Sequence, residues 1–202
     1  MLTIALPKGR IADETLDRFE KAFGEKFVFE DRKLILEKSG FKFLNVRNQD
    51  VPTYVMHGAA DLGVVGLDVL EEKEYDLIKL LDLKLGRCKV AFGLRAGEKI
   101  NFDKSKITIA TKHEKIAKKY FEQKAMAVEI IKLYGSIELA PLVGLCDCIV
   151  DIVETGETMK QNGLEVGPTI METTAHLIAN KNSFYAKKDF IFDLKDKLEK
   201  FL

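Results

Sequence analysis

The sequence has no excess of either charge and no long apolar run. Its 202 residues include 32 basic and 32 acidic side chains, so the formal net charge is zero. A chain without a general positive field does not attract nucleic acid or an anionic membrane, so any anion binding must be local. No stretch approaches the ~18 apolar residues of a membrane span, and the first residues lack the pattern of a secretory signal. We therefore expect a soluble, cytoplasmic protein.

Cysteine and histidine are also scarce. The three cysteines are Cys88, Cys146 and Cys148, and a Cys-x-Cys spacing matches neither a zinc pair nor a redox motif. We predict reduced thiols in the core. The three histidines lie far apart and have no metal-ligand spacing, so we expect structural or exposed roles for them and no metal held by the protein itself. They are His57, His113 and His176.

Several signatures of nucleotide and acyl chemistry are absent. There is no Gly-x-x-x-x-Gly-Lys-Ser/Thr element and no Gly-x-Gly-x-x-Gly fingerprint, so a kinase or a Rossmann dehydrogenase lacks its main support. No serine stands in a Gly-x-Ser-x-Gly context, which argues against an acyl-transfer hydrolase. The sequence therefore offers no covalent nucleophile.

What is present is an alternation of short apolar runs with amphipathic segments. This alternation is typical of α/β units around mainly parallel sheets. The helical spacing predicts helices over 11–23 and 114–124, another after Asp50, whose side chain we expect to cap it, and one near 190–201. The apolar runs predict strands near 2–6, 43–47, 62–65, 77–81, 88–94, 107–110, 128–131, 148–153 and 174–180.

Weaker signs indicate two α/β lobes. A break near 86–90 and a return of the last strand and helix give lobe I, residues 1–88 plus 171–202, and lobe II, residues 89–170. In such folds, ligands bind where the carboxyl ends of strands meet helix starts. We therefore expect the site in the cleft between the lobes, with its phosphate-binding loop on lobe II.

The segment 151–159 is the most informative one. It predicts a buried strand that ends in two acids, Asp151 and Glu154, followed by a polar loop and a short helix closed by residues 162–163. Hydroxyls of Thr155 and Thr158, together with Gly156 and free N–H groups at the helix start, can hold a phosphate. The carboxylates suit the vicinal hydroxyls of a ribose. The pattern indicates a ribose 5-phosphate site, although acids followed by Thr-Gly also form ordinary capped turns.

Two basic segments are further candidates. Residues 7–10 place Lys8, Gly9 and Arg10 between a strand and a helix, which is where α/β folds bind anions. Residues 30–33 include Arg32 among other charged side chains. At both places the alternative is a solvated turn whose charges contribute little.

Four segments, taken in order, resemble the ATP phosphoribosyltransferase family. They cover nearly the whole chain, and the run from Glu138 to Met159 is the most specific part of the match. The segments are IALPKGR at 4–10, DVPTYV with GAADLG at 50–63, GSIELAPL at 135–142 and DIVETGETMKQNGL at 151–164.

The resemblance implies a glycosyltransferase, more narrowly a pentosyltransferase. It would join N1 of the adenine of ATP to C1 of phosphoribosyl pyrophosphate, with substrate-bound Mg²⁺ and release of pyrophosphate, as the first step of histidine biosynthesis. It also implies lobes of the periplasmic-binding-protein type. Because the sequence stops at Leu202, it resembles the short form of the family, a catalytic subunit that works with a histidyl-tRNA-synthetase-like regulatory subunit. We expect a homodimer of the chain and a hetero-octamer with that partner.

The resemblance also implies roles for named residues. The cations that neutralise the departing pyrophosphate would be Arg10 and Arg32. The ribose hydroxyls would be held by Asp151 and Glu154. The 5-phosphate would be wrapped by Thr155, Gly156, Glu157 and Thr158, with the carboxylate of Glu157 pointing away. Weaker assignments to the substrate site are Lys8, Gly9 and Asp68.

A non-catalytic small-molecule-binding protein is the main alternative, because two-lobed cleft folds also serve as solute receptors. A receptor of that kind is usually exported, and no signal pattern is present. A phosphoribosyltransferase acting on another base would keep the 151–158 loop but lose the matches at 4–10 and 50–63. Both of those matches are present.

Overall fold

Two compact units divide the chain, and the computed structural model describes residues 1–202. Unit 1 comprises Met1–Gly86 and Thr174–Leu202, and unit 2 comprises Arg87–Thr173. The strands are β1 Leu2–Pro7, β2 Ile35–Lys38, β3 Phe41–Val46, β4 Leu62–Gly66, β5 Ile78–Arg95, β6 Ile107–Thr111, β7 Val128–Lys132, β8 Cys148–Val153 and β9 Leu164–Ala179. The helices are α1 Arg10–Phe23, α2 Val51–Met56, α3 Leu67–Lys73, α4 Glu114–Gln123, α5 Leu139–Leu142, α6 Glu157–Gln161, α7 Lys181–Ala186 and α8 Lys188–Glu199.

The sheet of unit 1 is parallel at its centre. Its strand order is β2-β3-β1-β4-β9. β1 lies parallel to both neighbours, with Ile4 opposite Phe43 on β3 and Leu62 on β4. β2 and β9 are antiparallel to their partners β3 and β4. The carboxyl ends of β1, β3 and β4 therefore share one edge of the sheet.

An aromatic cluster packs α1 onto this sheet. Phe19 is fully buried, and its ring centroid lies 5.1 Å from that of Phe43 and 5.3 Å from that of Phe41, both at nearly right angles. Edge-to-face packing is the favoured arrangement of aromatic rings, and burying one such side chain stabilises the fold by roughly 1.5–3 kcal/mol. The apolar stripe along 11–23 thus forms the predicted core face.

The sheet of unit 2 is built in the same manner. Its strand order is β5-β8-β6-β7, with β8, β6 and β7 parallel and β5 antiparallel to β8. Ile109 lies opposite Cys148 on β8 and Ile130 on β7. Helix α4 covers this sheet through Phe121, whose ring meets that of Phe92 edge-on at 5.9 Å.

An aspartate before β4 fastens the amino end of that strand in unit 1. Asp61 Oδ2 accepts a hydrogen bond from Thr3 N at 2.9 Å, and Lys187 Nζ lies 2.7 Å from the same oxygen. Burial raises the pKa of the Asp61 carboxyl, but the hydrogen bonds from Lys187 and Thr3 outweigh burial and lower the pKa overall. The folded state therefore stabilises the ionised carboxylate.

Unit 2 has the same aspartate contact before β8. Asp147 Oδ2 accepts a hydrogen bond from Thr108 N at 2.9 Å, and Lys104 Nζ lies 2.5 Å from Oδ1. The hydrogen bond from Lys104, supported by that from Thr108, lowers the pKa of the Asp147 carboxyl. Each unit therefore joins two parallel strands through an aspartate at their amino ends.

Most predicted strands are confirmed, the bounds of three are corrected, and one observed strand was not predicted. The strands expected at 77–81 and 88–94 are one strand, β5, because buried Leu83 and Leu85 continue the alternation up to Gly86. The last strand, expected at 174–180, begins at Leu164. β2 was not predicted, since it is an edge strand whose side chains are mostly exposed and carry no alternation.

The helix after Asp50 is confirmed, but its expected cap is wrong. Asp50 makes no side-chain capping hydrogen bond and has helical dihedral angles, φ −96° and ψ −19°. It belongs to a preceding 3₁₀ turn, Asn48–Asp50, so its carboxylate is not in the extended position that a capping side chain needs. None of the helices is both long and apolar enough to cross a membrane.

All three cysteines are free thiols, as predicted. Cys146 and Cys148 are buried, and Cys88 is half-buried. Burial is the main cause that raises the pKa of Cys148 to about 12. This thiol stays protonated and behaves as a small apolar core residue.

Candidate active site

The turn between β1 and α1 lies at the carboxyl edge of the sheet of unit 1. Gly9 has φ 98° and ψ −155°, a conformation that only glycine adopts without strain. Lys8 N donates a hydrogen bond to Val46 O at 2.8 Å, which fixes the turn against the end of β3. The side chains of Lys8 and Arg10 are exposed here, and Arg10 Nε lies 3.6 Å from Glu14 Oε1.

Arg32 lies at the same edge for a topological reason. β2 runs antiparallel to β3, so the start of β2 lies beside the end of β3. Asn45 N donates a hydrogen bond to Leu34 O at 2.9 Å, and Asn45 is also opposite Leu6 of β1. The exposed Arg32, two residues before Leu34, therefore belongs to the edge that carries Lys8 and Arg10.

Asp68 differs from these residues because it is buried. It lies in the first turn of α3, directly after β4, and only 3% of its surface is exposed. Lys8, Gly9, Arg10 and Arg32 are all exposed. The unit 1 edge thus presents three cations to solvent, while the carboxylate of Asp68 lies beneath the surface.

The loop predicted to hold a phosphate follows β8 in unit 2. Gly156 adopts φ 83°, and a Cβ at this position would lie 2.8 Å from Val166 Cγ2. Glu157 N donates a hydrogen bond to Thr155 Oγ1 at 3.3 Å. The side chains of Glu154, Thr155 and Thr158 are exposed. The chain therefore forms a tight turn at which only glycine fits.

Glu157 points along its own helix. Gln161 Nε2 donates a hydrogen bond to Glu157 Oε1 at 3.1 Å, one turn further along α6. The predicted helix end is also confirmed, since Asn162 caps α6 and Gly163 follows with φ 75°. The carboxylate of Glu157 is therefore engaged within α6.

Two residues beside Asp151 were missed in the sequence. Lys112 Nζ lies 3.0 Å from Asp151 Oδ1, and His113 Nε2 lies 3.7 Å from the same oxygen. The ring of His113 is buried, with 1% of its side chain exposed. Both residues directly follow β6, which is parallel to β8. The rule that the carboxyl ends of parallel strands meet could have found them.

The predicted site residues thus fall into two sets, one in each unit. The unit 1 set consists of Lys8, Gly9, Arg10, Arg32 and Asp68. The unit 2 set consists of Asp151, Glu154, Thr155, Gly156, Glu157 and Thr158. In the described residues 1–202, no group of three or more His, Cys, Asp or Glu side chains is arranged to hold a metal ion.

Comparisons of sequence identify one family. The family model described as ATP phosphoribosyltransferase (HisG) matches residues 47–200. ATP phosphoribosyltransferase from Wolinella succinogenes is 68% identical over 200 residues, which cover 99% of this chain and 97% of that protein. The similarity therefore extends over both units.

Solved structures add the fold. An ATP phosphoribosyl transferase (HisG:HisZ) complex from Thermotoga maritima contains a chain that is 36% identical, with a TM-score of 0.84 over 99% of this chain and 98% of that one. The periplasmic aliphatic sulphonate binding protein SsuA from Escherichia coli is 14% identical, with a TM-score of 0.63 over 98% of this chain and 67% of that one. Similarity to the binding protein shows the fold alone, whereas the first similarity and the family match show descent. The chain belongs to the ATP phosphoribosyltransferase family.

Proposed function

We propose that the carboxyl edges of the two sheets carry the residues of the ATP phosphoribosyltransferase reaction in this chain. In that reaction, the first step of histidine biosynthesis, N1 of the adenine of ATP attacks C1 of phosphoribosyl pyrophosphate and pyrophosphate leaves. N1 is a neutral nucleophile that already has a lone pair, so no strong general base is needed. The protein must instead bind the ribose 5-phosphate and stabilise the charge that develops on pyrophosphate.

The unit 2 set is our assignment for the ribose 5-phosphate. Asp151 and Glu154 accept hydrogen bonds from the ribose hydroxyls, because ionised carboxylates are strong acceptors for O–H donors. The 5-phosphate binds to the backbone N–H groups of residues 155–158 and to the hydroxyls of Thr155 and Thr158. The observation that carries this proposal is the turn at Gly156, where φ is 83° and a Cβ would meet Val166 Cγ2.

The unit 1 set is our assignment for pyrophosphate. Arg10 and Arg32 are guanidinium groups, which stay charged at any working pH and can bind phosphate oxygens with two hydrogen bonds. Lys8 adds a third charge, and Gly9 lets a phosphate approach the backbone at the start of α1. Asp68 has the weakest support as a residue in contact with substrate, because its carboxylate is buried.

Mg²⁺ enters this proposal as part of the substrate. A divalent ion bound to the pyrophosphate group lowers the negative charge that Arg10, Arg32 and Lys8 must offset. Mg²⁺ in phosphate chemistry is usually bound through the phosphate oxygens of the substrate together with several waters, so it would need few ligands from the protein. The cations and the metal then stabilise the same leaving group.

A regulatory partner is part of the proposal as well. The Thermotoga maritima structure is a HisG:HisZ complex, and its 36% identical chain has nearly the same length as this one. We infer that this chain also works with a regulatory subunit resembling histidyl-tRNA synthetase, as a homodimer within a hetero-octamer. A cytoplasmic location follows from the substrates, since ATP and phosphoribosyl pyrophosphate are made and used there.

Calorimetric titration with phosphoribosyl pyrophosphate and Mg²⁺ tests the ribose assignment. The double variant Asp151→Asn with Glu154→Gln should bind at least about tenfold more weakly, because it removes two charged acceptors. Asp103→Asn with Glu165→Gln removes two exposed acids elsewhere in unit 2 and should leave the affinity unchanged. Equal affinity of the two double variants, with both folded, would exclude the assignment.

A further inference from the structure

The strand β6 ends in a segment that is fixed to β8. Thr111 Oγ1 donates a hydrogen bond to Val150 O at 2.6 Å, and His113 N donates one to Thr111 Oγ1 at 2.9 Å. Both residues are buried. Lys112 lies between these two anchored residues, so its backbone has a defined position relative to Asp151.

The side chain of Lys112 reaches the carboxylate of Asp151. Its Nζ lies 3.0 Å from Oδ1, with 39% of the lysine side chain and 15% of the aspartate side chain exposed. Ile152 N donates a hydrogen bond to the same oxygen at 2.8 Å, and the buried ring of His113 lies 3.7 Å away on that side. These contacts all involve Oδ1, so they fix the orientation of the carboxylate.

The negative charge of Asp151 lies next to the loop proposed to bind a phosphate, so a nearby cation should favour binding. Asp151 lies on β8, which directly precedes the loop proposed to hold the 5-phosphate, and that phosphate is itself an anion. A carboxylate weakens the binding of a nearby phosphate, because the two anions repel each other most strongly where water is partly excluded. Lys112 offsets the negative charge of Asp151 without lying in the loop.

We propose that Lys112 is a positioning residue for the sugar phosphate. It holds Oδ1 of Asp151, which turns Oδ2 towards the ribose hydroxyl, and its charge reduces the repulsion between Asp151 and the phosphate. The inference rests on the proposed role of Asp151 in binding ribose. It adds a second strand end, that of β6, to the unit 2 set.

The test compares the steady-state kinetics of Lys112→Met and Lys112→Arg, measured with ATP, phosphoribosyl pyrophosphate, Mg²⁺ and the regulatory subunit. Lys112→Met should raise the KM for phosphoribosyl pyrophosphate about three- to tenfold, since a partly exposed ion pair contributes modestly. The KM for ATP and kcat should change less than about twofold. Lys112→Arg should restore most of the loss, because it keeps the charge within reach of Asp151.

Lys104→Met is the matched control. Lys104 makes an ion pair with Asp147 at the other end of β8, so its loss measures the effect of removing a comparable lysine from the same unit. Equal KM values for Lys104→Met and Lys112→Met would overturn the proposal, as would a fall in kcat without a change in KM. Should Lys112→Met fail to fold, Lys112→Gln serves in its place, with folding checked by thermal unfolding.

Asp151→Asn separates failure of this inference from failure of the proposed function. If Asp151→Asn weakens binding of phosphoribosyl pyrophosphate and Lys112→Met does not, only the inference is wrong. If Asp151→Asn itself has no effect, the ribose assignment is wrong and the inference falls with it. If both weaken binding, the double variant should be little worse than Asp151→Asn alone, because Lys112 acts through Asp151.

Discussion

The two units have the same aspartate contact at the amino ends of their parallel strands and different residues at the carboxyl ends. In unit 1, Asp61 accepts a hydrogen bond from Thr3 N. In unit 2, Asp147 accepts one from Thr108 N. After the first strand of each pair come basic residues, at Lys8–Arg10 and at Lys112. After the second strand, unit 2 alone has the run of acids and hydroxyls.

This difference separates the scaffold from the chemistry. The aspartate, its lysine and the parallel pair are structural and recur with little change. The loops at the carboxyl ends are free to differ, because they contribute little to the core and lie where ligands bind in α/β folds. A family of enzymes and a family of solute-binding proteins can therefore share one fold.

The largest effect is expected when the cations at the carboxyl edge of unit 1 are removed. Arg10→Ala and Arg32→Ala should each lower kcat/KM by a factor equivalent to roughly 2–4 kcal/mol, the size of one lost preorganised electrostatic contact. Steady-state kinetics measure the change. Arg87→Ala is the control, because this arginine is 81% exposed and lies 3.7 Å from Glu172. Rates for Arg10→Ala and Arg32→Ala like that of Arg87→Ala would refute the assignment.

A smaller effect is expected at the turn of unit 2. Gly156→Ala should lower the free energy of unfolding by about 1–3 kcal/mol, since it adds strain at a positive φ and forces Val166 to move. Calorimetry should show weaker binding of phosphoribosyl pyrophosphate. Gly163→Ala separates the two causes, because Gly163 has φ 75° with nothing within 4 Å of an added Cβ. It should lower stability and leave binding unchanged, whereas equal binding losses in both variants would count against the loop.

The smallest effect concerns the shared aspartates. Because the pKa of Asp61 and that of Asp147 are lowered in the folded state, each stabilises the protein above the ordinary aspartate pKa. That stabilisation is lost as the pH falls through the lowered value. Asp61→Asn should lower the free energy of unfolding by about 1 kcal/mol at pH 7 and by less at acidic pH. Urea unfolding at pH 7 and at pH 3 measures this, and a pH-independent loss would contradict it.

The sequence predicted the segments whose signals are local. The apolar run before Asp151, the acids and the Thr-Gly turn are contiguous, and they led to the correct strand, turn and helix end. The strand β2 was missed because edge strands need no alternation, and β5 was predicted as two strands, at 77–81 and 88–94. Lys112 was missed because its contact with Asp151 depends on strand pairing between segments far apart in sequence. The aspartate contacts at the amino ends of the strands were missed for the same reason.

Calorimetric titration with the two halves of the substrate tests the central claim most directly. Ribose 5-phosphate and Mg²⁺-pyrophosphate are titrated separately into two variants, Asp151→Asn with Glu154→Gln and Arg10→Ala with Arg32→Ala. We predict that the first variant loses affinity for ribose 5-phosphate and keeps its affinity for pyrophosphate, and that the second variant does the reverse. Equal losses of both ligands in both variants, or the opposite pattern, would contradict the division of roles between the two sets of residues.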